Sequence, residues 1–248
     1  MPRYASVKKN QYFSGRPTTK FSGMHSLTVI TPTVGKPSLD KLINSIDNQD
    51  SACRILHLLL WDDVRFESAN KPESYNFNNR FSIVMPTGAG RNGAAPGSIL
   101  RSVGLTAART EWVTFADDDV WWEAAHISQM GHALVGKNWA STLRRIWSPT
   151  GDLLGVDTFE SVGDDISRQV PYEMCDNNTM VFRRELGLAA APLYRETEKY
   201  DDDRLMYAFL KSHAGPRGRC EKVGINHICP EALVEFFTSN CTPDKNFI

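Results

Sequence analysis

The sequence lacks the features that define several classes of protein. Its five cysteines are an odd number without C-x-x-C spacing, which indicates neither a disulfide framework nor a zinc site and predicts a reducing, cytoplasmic location. No stretch approaches the roughly eighteen apolar residues of a membrane span, and the N-terminus lacks the pattern of a signal peptide, so we expect no transmembrane segment. The formal net charge of −1 argues against a nucleic-acid binder, which normally needs a basic excess.

What remains is an ordinary globular composition. The chain has 248 residues, of which 41% are hydrophobic and 23% charged, and this allows one substantial core. We predict a single domain over residues 24–248, with a nucleotide-binding half at 24–122 and a less regular half at 123–248. Residues 1–23 contain five basic residues and no acid. They are interpreted as a basic extension that is either solvated or in contact with an anionic membrane surface, a polyanionic acceptor or a partner.

Apolar runs predict the strands, and apolar residues at helical spacing predict the helices. The first half is predicted to contain strands at 26–33, 54–63, 81–86 and from Trp112 onwards, with helices after Ser38 and over 98–109. The second half is predicted to contain a helix at 122–135, a hairpin of 139–147 with 152–156, a strand at 179–182, and helices at 183–191 and 201–213. Strand, helix and strand in succession imply a mainly parallel α/β sheet with right-handed crossovers.

Three groups of acids end predicted strands or begin a predicted helix: Asp62-Asp63, Asp117-Asp118-Asp119 and Asp201-Asp202-Asp203. Adjacent carboxylates cannot continue inside an apolar core without partners, so they are expected at the exposed carboxyl edge of the sheet, where ligands bind. Clustered hard oxygen ligands suit Mg²⁺ or Mn²⁺. Acids at a helix start are also common caps, and this alternative stays open for the last group. Together the three groups predict a nucleotide and metal site with a general base.

Other polar and aromatic features leave two interpretations each. Residues 88–93 match G-x-G-x-x-G, but they follow the third strand, so we favour a phosphate or substrate loop, or a plain loop, over a dinucleotide fingerprint. His227 is a candidate for a metal or phosphate contact, or has an ordinary polar role. Trp121 and Trp122 pack in the core or present their faces to a sugar ring.

Several segments resemble the GT-A fold glycosyltransferases of the large inverting family that includes cellulose and chitin synthases and small bacterial sugar transferases. The run from Leu100 to Asp119 is similar to that family's A-R-N-x-G-x-x-x-A-x-G-E-Y-I-x-F-x-D-x-D segment, although Ser102 replaces Asn and Thr110 replaces Gly. Residues 29–33 resemble V-I-I-P-T-Y, residues 179–185 resemble L-F-R-R, and residues 200–205 resemble E-D-x-D-L with Asp201 in place of Glu.

The resemblance implies a mixed, mainly parallel Rossmann-like sheet in a single domain, with residues 123–248 on the acceptor side. It also implies inverting transfer of a sugar from a UDP- or GDP-type donor to an acceptor hydroxyl, expected to be that of a saccharide, with Mn²⁺ or Mg²⁺ as cofactor. Asp119 is then the metal ligand, with Asp117 and His227 as further candidates, and Asp202 is the base that deprotonates the acceptor. The implied nucleotide contacts are Thr31, Pro32, Thr33, Asp62, Asp63, Arg101, Asp117 and Asp118.

Asp118 occupies the variable middle position of the acid triad, so we expect it to be the most replaceable of the three. No Q-x-x-R-W motif follows, which favours single addition over processive synthesis. Two alternatives remain. A nucleotidyltransferase acting on a sugar phosphate also uses paired acids and a metal. Its glycine-rich, basic phosphate loop is expected directly after the first strand, but this chain has Thr33-Val34-Gly35-Lys36-Pro37 at that position. A non-catalytic sugar- or partner-binding domain does not need the intact acids.

Overall fold

The computed structural model describes residues 24–62, 79–85, 97–163, 173–195 and 201–244. Within these ranges the chain forms ten strands and six α-helices. The strands are β1 Ser26–Thr33, β2 Arg54–Asp62, β3 Arg80–Met85, β4 Trp112–Phe115, β5 Val120–Trp122, β6 Trp139–Trp147, β7 Leu153–Asp157, β8 Met180–Arg183, β9 Gly218–Ile228 and β10 Cys241–Thr242. The helices are α1 Leu39–Asp47, α2 Ser98–Ala107, α3 His126–Ala133, α4 Arg184–Ala190, α5 Asp202–His213 and α6 Val234–Asn240.

The strands form one mixed sheet whose main path is β10-β7-β6-β8-β4-β1-β2-β3. Four strands of the first half, β4, β1, β2 and β3, are parallel neighbours, as predicted. In the second half β8 runs antiparallel between β4 and β6, and β7 forms the predicted hairpin with β6. Strand β9 lies parallel to β6 and carries β5 antiparallel on its other side. The carboxyl ends of β1, β2 and β4 therefore meet at one edge.

Helices cover both faces of this sheet. Strand β1 alternates between the faces: Leu27 and Val29 pack towards α1 and α3, while Ile30 packs towards α2. Such two-sided burial is typical of parallel strands. Helix α1 buries Leu39, Leu42, Ile43 and Ile46, the four positions predicted from their spacing.

Gly104 in helix α2 has a packing role. A Cβ at this position would lie 2.3 Å from Ile30 Cγ2, so only glycine lets α2 approach β1 this closely. This close approach explains why the run from Leu100 to Asp119, which resembles the glycosyltransferase motif, has glycine at position 104. The helix is in turn the element that carries Arg101 to the edge of the sheet.

The predicted helix at 122–135 was wrong in its first turn. Residues 120–122 form β5, which pairs with β9 more than a hundred residues later, and the helix begins only at His126. A strand of three residues has no periodicity that a sequence pattern can reveal. Similarly, the helix predicted to stop at Pro192 is the shorter α4, followed by a 3-10 turn at Ala191–Arg195 that includes this proline.

Several predictions fall outside the described residues. These are the basic extension at 1–23, Asp63 and the glycine-rich segment at 88–93. Among the helices of the described ranges, none is long and apolar enough to cross a membrane.

Candidate active site

A cavity of about 340 Å³ lies at the carboxyl edge of the parallel strands. Strands β1, β2 and β4 and helix α2 bring together most of the side chains predicted to bind a nucleotide. Its walls include Pro32, Thr33, Lys36, Asp62, Gly97, Arg101, Asp117, Asp118 and Asp119. A larger cavity of about 530 Å³ lies beside α3, but no carboxylate lines it, so the acid-lined cavity is the better candidate for metal and nucleotide chemistry.

The three acids of the triad have different neighbours. Asp118 is buried, its Oδ2 accepts a hydrogen bond of 2.7 Å from Thr33 Oγ1, and its Oδ1 lies 2.9 Å from Lys36 Nζ. Burial raises the pKa of Asp118, and the Lys36 ammonium opposes this effect. The middle acid thus ties β4 to the loop after β1. Burial and these two contacts give Asp118 a structural role, and whether it is the most replaceable of the three acids stays a prediction.

Asp117 is held from both sides. Its Oδ1 accepts a hydrogen bond of 2.6 Å from Arg101 Nη2, and its Oδ2 accepts one of 3.1 Å from Asn178 Nδ2. Asn178 Oδ1 also accepts from the backbone N–H of Asp117 at 2.6 Å. Because one amide side chain binds both the backbone and the carboxylate, Asn178 orients Asp117. Asn178 was not identified from the sequence, where its position just before β8 is the only signal.

Asp202, the predicted base, reaches the same arginine from helix α5. Its Oδ2 lies 3.1 Å from Arg101 Nη1 and accepts a hydrogen bond of 3.0 Å from Ser98 Oγ. Arg101 is therefore shared between Asp117 and Asp202, as its five donors allow. A Cβ on Gly97 would lie 3.3 Å from Arg101 Nη1, so this glycine leaves room for the guanidinium.

The two neighbours of Asp202 face elsewhere. Asp201 lies on the surface, where its Oδ1 lies 3.0 Å from Arg204 Nη1. Asp203 is turned inward and its Oδ1 accepts a hydrogen bond from the Asn177 backbone N–H at 2.9 Å. Burial, Asp176 and Asp202 raise the pKa of Asp203 well above the usual range. Of the three, only Asp202 contacts Arg101.

Asp119 is the acid with the best access for a metal ion. Its Oδ2 lies 2.9 Å from Lys36 Nζ and its Oδ1 lies 3.7 Å from His227 Nε2. Burial alone raises the pKa of Asp119, and the Lys36 ammonium opposes this effect. Across the described ranges, no group of three or more His, Cys, Asp or Glu side chains is arranged to hold a metal ion. One or two carboxylates with the phosphates of a nucleotide suffice for Mg²⁺, so the donor set fits an ion held jointly with a diphosphate.

His227, on β9, has a hydrogen-bonding pattern that bears on its predicted metal role. Arg144 Nη1 lies 3.1 Å from His227 Nδ1. Since a guanidinium has no acceptor, Nδ1 must accept, and a neutral imidazole then carries its proton on Nε2, the atom that faces Asp119. In this arrangement His227 is a donor towards Asp119. Its role as a metal ligand stays a prediction and requires that the Arg144 contact be given up.

Arg144, on β6, lies beneath the site and was not identified from the sequence. Its side chain is 1% exposed and is enclosed by three acids: Asp157 at 2.8 Å, Glu160 at 2.6 Å and Asp176. Asp176 Oδ1 also accepts a hydrogen bond of 2.9 Å from Asn178 Nδ2. The buried cluster is thereby connected through Asn178 to Asp117.

The remaining predicted residues lie close to the cavity but differ in access. Thr31 is fully buried and its Oγ1 lies 2.9 Å from His57 Nε2, so it supports β1 and is not among the residues that line the cavity. Pro32, Thr33 and Asp62 line the cavity, and their contact with a nucleotide stays a prediction. Trp122 is core, and Trp121 has the Lys41 ammonium 3.1 Å from its ring centroid, which favours packing over the sugar-platform interpretation.

Two of the departures from the glycosyltransferase motif have structural partners. Thr110 Oγ1 donates to the Trp112 carbonyl at 2.8 Å and lies 2.6 Å from Thr28 Oγ1, so it joins β4 to β1. Ser102 Oγ accepts a hydrogen bond of 2.9 Å from Arg195 Nε. Both residues are buried away from the acid triad, so neither change removes a group from the cavity.

No family model and no curated protein matches this chain. Solved structures of TarS from S. aureus, a teichoic acid glycosyltransferase, are similar to it. The TarS fragment 1–349 has a TM-score of 0.61 and 18% identity over 90% of this chain and 68% of that one. The same fragment in complex with UDP has a TM-score of 0.60 and 18% identity over 90% of this chain and 68% of that one. In complex with UDP-GlcNAc it has a TM-score of 0.58 and 19% identity over 83% of this chain and 59% of that one. The chain spans 41% of the longer TarS structure. The likeness confirms the predicted GT-A glycosyltransferase fold.

Proposed function

We propose that this protein is a glycosyltransferase that moves a sugar from a nucleoside-diphosphate sugar, of the UDP type, to an acceptor hydroxyl, with inversion and with a divalent metal ion. The observation that carries the proposal is the shared arginine. Arg101, in the wall of the cavity, binds both Asp117 and Asp202, so the acid proposed for the donor side and the proposed base share one guanidinium. The TarS structures with UDP and UDP-GlcNAc support the donor class.

The donor side follows from charge. A diphosphate leaving group is densely negative. Two cations line the cavity: Arg101, whose guanidinium is fixed, and Lys36, whose side chain is flexible. When bound at Asp119, Mg²⁺ or Mn²⁺ supplies neutralisation of the charge that develops on the departing diphosphate. Asp62, at the end of β2, is the candidate contact for the base or ribose.

The acceptor side rests on Asp202. Both of its described contacts fall on Oδ2, and these keep the carboxylate oriented. Oδ1 is then the oxygen that takes the proton from the acceptor hydroxyl as the new C–O bond forms. The bond to the nucleoside diphosphate breaks on the opposite face of the sugar, so the configuration at the anomeric carbon inverts. Base catalysis of this kind typically contributes ~10²–10⁴ in rate.

Calorimetry with UDP and with GDP, each with and without Mn²⁺, tests the donor site. We expect UDP to bind and Mn²⁺ to tighten its binding, and we expect Asp119→Asn to remove the effect of the metal. If neither nucleotide bound under any condition, the proposal would be wrong. Product analysis with a UDP-sugar then separates the alternatives: sugar transfer releases UDP, nucleotidyl transfer consumes or releases pyrophosphate, and a non-catalytic domain binds without turnover.

A further inference from the structure

Lys36 is placed at the acid triad by a loop that the triad itself holds. Thr33 Oγ1 donates to Asp118 at 2.7 Å and accepts from the Gly35 backbone N–H at 2.8 Å. Gly35 has a φ of 79°, in the left-handed region that favours glycine, and this turns the chain back over the edge of the sheet. The loop is therefore fixed at its base, whereas the side chain of Lys36 is 46% exposed.

We propose that Lys36 is an exchangeable counter-ion of the donor site. In the free protein its ammonium neutralises Asp118 and Asp119; when a nucleoside diphosphate and a divalent ion bind, the ammonium leaves Asp119 to the ion and moves to a phosphate oxygen. This inference rests on the proposed function. It assigns a role to a residue that lies outside the motifs resembling the glycosyltransferase family.

The distances make the two cations compete for Oδ2 of Asp119. Lys36 Nζ lies 2.9 Å from this oxygen and 2.9 Å from Oδ1 of Asp118. A divalent ion bound to Oδ2 of Asp119 at its normal ligand distance, roughly 2.0–2.6 Å, would face the ammonium at close range, and the two would repel each other. Binding of the ion to Oδ2 therefore requires that the ammonium moves.

The two acids differ in what they keep when the ammonium leaves. Asp118 retains the Thr33 hydroxyl at 2.7 Å and the Val34 backbone N–H at 3.4 Å. Asp119 retains only the more distant His227 Nε2 among its described side-chain partners, at 3.7 Å. The acid that loses its main partner is thus Asp119, the predicted metal ligand, whereas the buried Asp118 keeps hydrogen-bond donors.

The flexible lysine and the buried arginine of the cavity are suited to different tasks. Arg101 is nearly buried and is bound to two acids, so it cannot move to a ligand. Lys36 is a point charge on a flexible stem that reaches several positions within the cavity. Burial lowers its pKa, but Asp119 and Asp118 outweigh burial and the net pKa is raised, which keeps the ammonium charged.

Binding measurements on the full chain test this without an acceptor. Calorimetry is done with Mn²⁺ alone and with UDP alone, for wild type, Lys36→Met and Lys36→Arg. We expect Lys36→Met to bind Mn²⁺ about tenfold more tightly and UDP without metal about tenfold more weakly, the size of one charge-assisted hydrogen bond. Lys36→Arg should restore UDP binding. Lys211→Met is the matched control, because Lys211 is 47% exposed and pairs with Glu173 away from the cavity; it should change neither affinity.

Unchanged Mn²⁺ affinity or unchanged UDP affinity in folded Lys36→Met would overturn the exchange. If the wild-type protein still bound UDP in that case, only the exchange would be wrong and the proposed function would stand. If wild-type protein bound neither Mn²⁺ nor UDP, the proposed function itself would fail and the inference with it. Circular dichroism of each variant confirms that the comparison is between folded proteins.

Discussion

Arg101 and Arg144 each bind carboxylates from more than one element, but they differ in what lies beside them. Arg101 and its partner Asp117 line a cavity, and Asp202 is joined to that cavity through Arg101, so a ligand can approach this cluster. Arg144 is enclosed by Asp157, Glu160 and Asp176, and its side chain is 1% exposed. The same kind of ion pair therefore has two uses: the open cluster around Arg101 can respond to a substrate, whereas the closed cluster around Arg144 holds the structure beneath it in place.

The side chain of Asn178 joins the two clusters. Asn178 donates to Asp176 in the closed cluster and to Asp117 in the open cluster. Removing a partner from a buried ion pair is costly even where the pair adds little net stability, because a charge is left behind without compensation. The closed cluster thus gives Asn178, and through it Asp117, a defined position.

The largest effect is expected from the base in the open cluster. Asp202→Asn should lower the rate of sugar transfer ~10²–10⁴-fold while UDP binding stays nearly unchanged, because the amide keeps its shape but cannot take the acceptor's proton. Steady-state kinetics with a UDP-sugar and calorimetry with UDP measure the two effects. Asp201→Asn is the control, since Asp201 lies on the surface with Arg204. Normal turnover by Asp202→Asn would mean that another group is the base.

The closed cluster should show its effect in stability. Arg144→Met leaves three acids without their shared cation and should lower the free energy of unfolding by about 3–5 kcal/mol. Urea unfolding followed by circular dichroism measures this. Lys211→Met removes an exposed lysine from an exposed acid and should change the value by no more than about 0.5 kcal/mol. Equal effects of the two substitutions would contradict the distinction between the clusters.

The same distinction separates what the sequence could and could not reveal. Strands β1, β2 and β6 have strong local patterns, and their predicted bounds agree with the structure to within a residue; helix α1 begins after Ser38, as predicted. Asp117 was found because adjacent carboxylates after an apolar strand are unusual, and Asp202 because its segment resembles E-D-x-D-L. Arg144, Asn178 and Lys36 each look ordinary in the sequence. Their roles depend on pairings across the sheet, such as β6 with β9, which no local pattern encodes.

His126 is a buried titratable group that, unlike the acids and arginines of the two clusters, has no charged partner among the described residues. His126 is fully buried against Trp122, and neither of its ring nitrogens has a hydrogen-bond partner among the described residues. Burial lowers the pKa of His126 from 6.5 to about 3. Below pH 6.5 the unfolded chain takes up a proton that the folded protein refuses, so stability present above pH 6.5 is lost as the pH falls towards 3.

By this linkage, His126 alone should lower the free energy of unfolding by about 2 kcal/mol between pH 7 and pH 5. His126→Phe keeps a ring and removes the titrating group. The free energy of unfolding of this variant should therefore fall by about 2 kcal/mol less than that of the wild type between pH 7 and pH 5. Urea unfolding at both pH values gives the difference. His213→Gln, which removes an exposed histidine at the end of α5, is the control for the loss of a histidine. An identical pH dependence in His126→Phe would show that His126 does not carry the effect.

The smallest effect is expected from a closed pair that carries no charge. Thr110 Oγ1 donates to the Trp112 carbonyl, so the hydroxyl of Thr28, 2.6 Å away, is the donor to Thr110. Thr110→Val should cost about 1–2 kcal/mol, because the buried Thr28 hydroxyl loses its partner. Thr28→Val/Thr110→Val removes both hydroxyls and should therefore cost less than the sum of the single changes. A urea double-mutant cycle measures this coupling. Strict additivity would mean that the two hydroxyls act independently, and their hydrogen bond would then not explain why threonine stands in place of the motif's glycine.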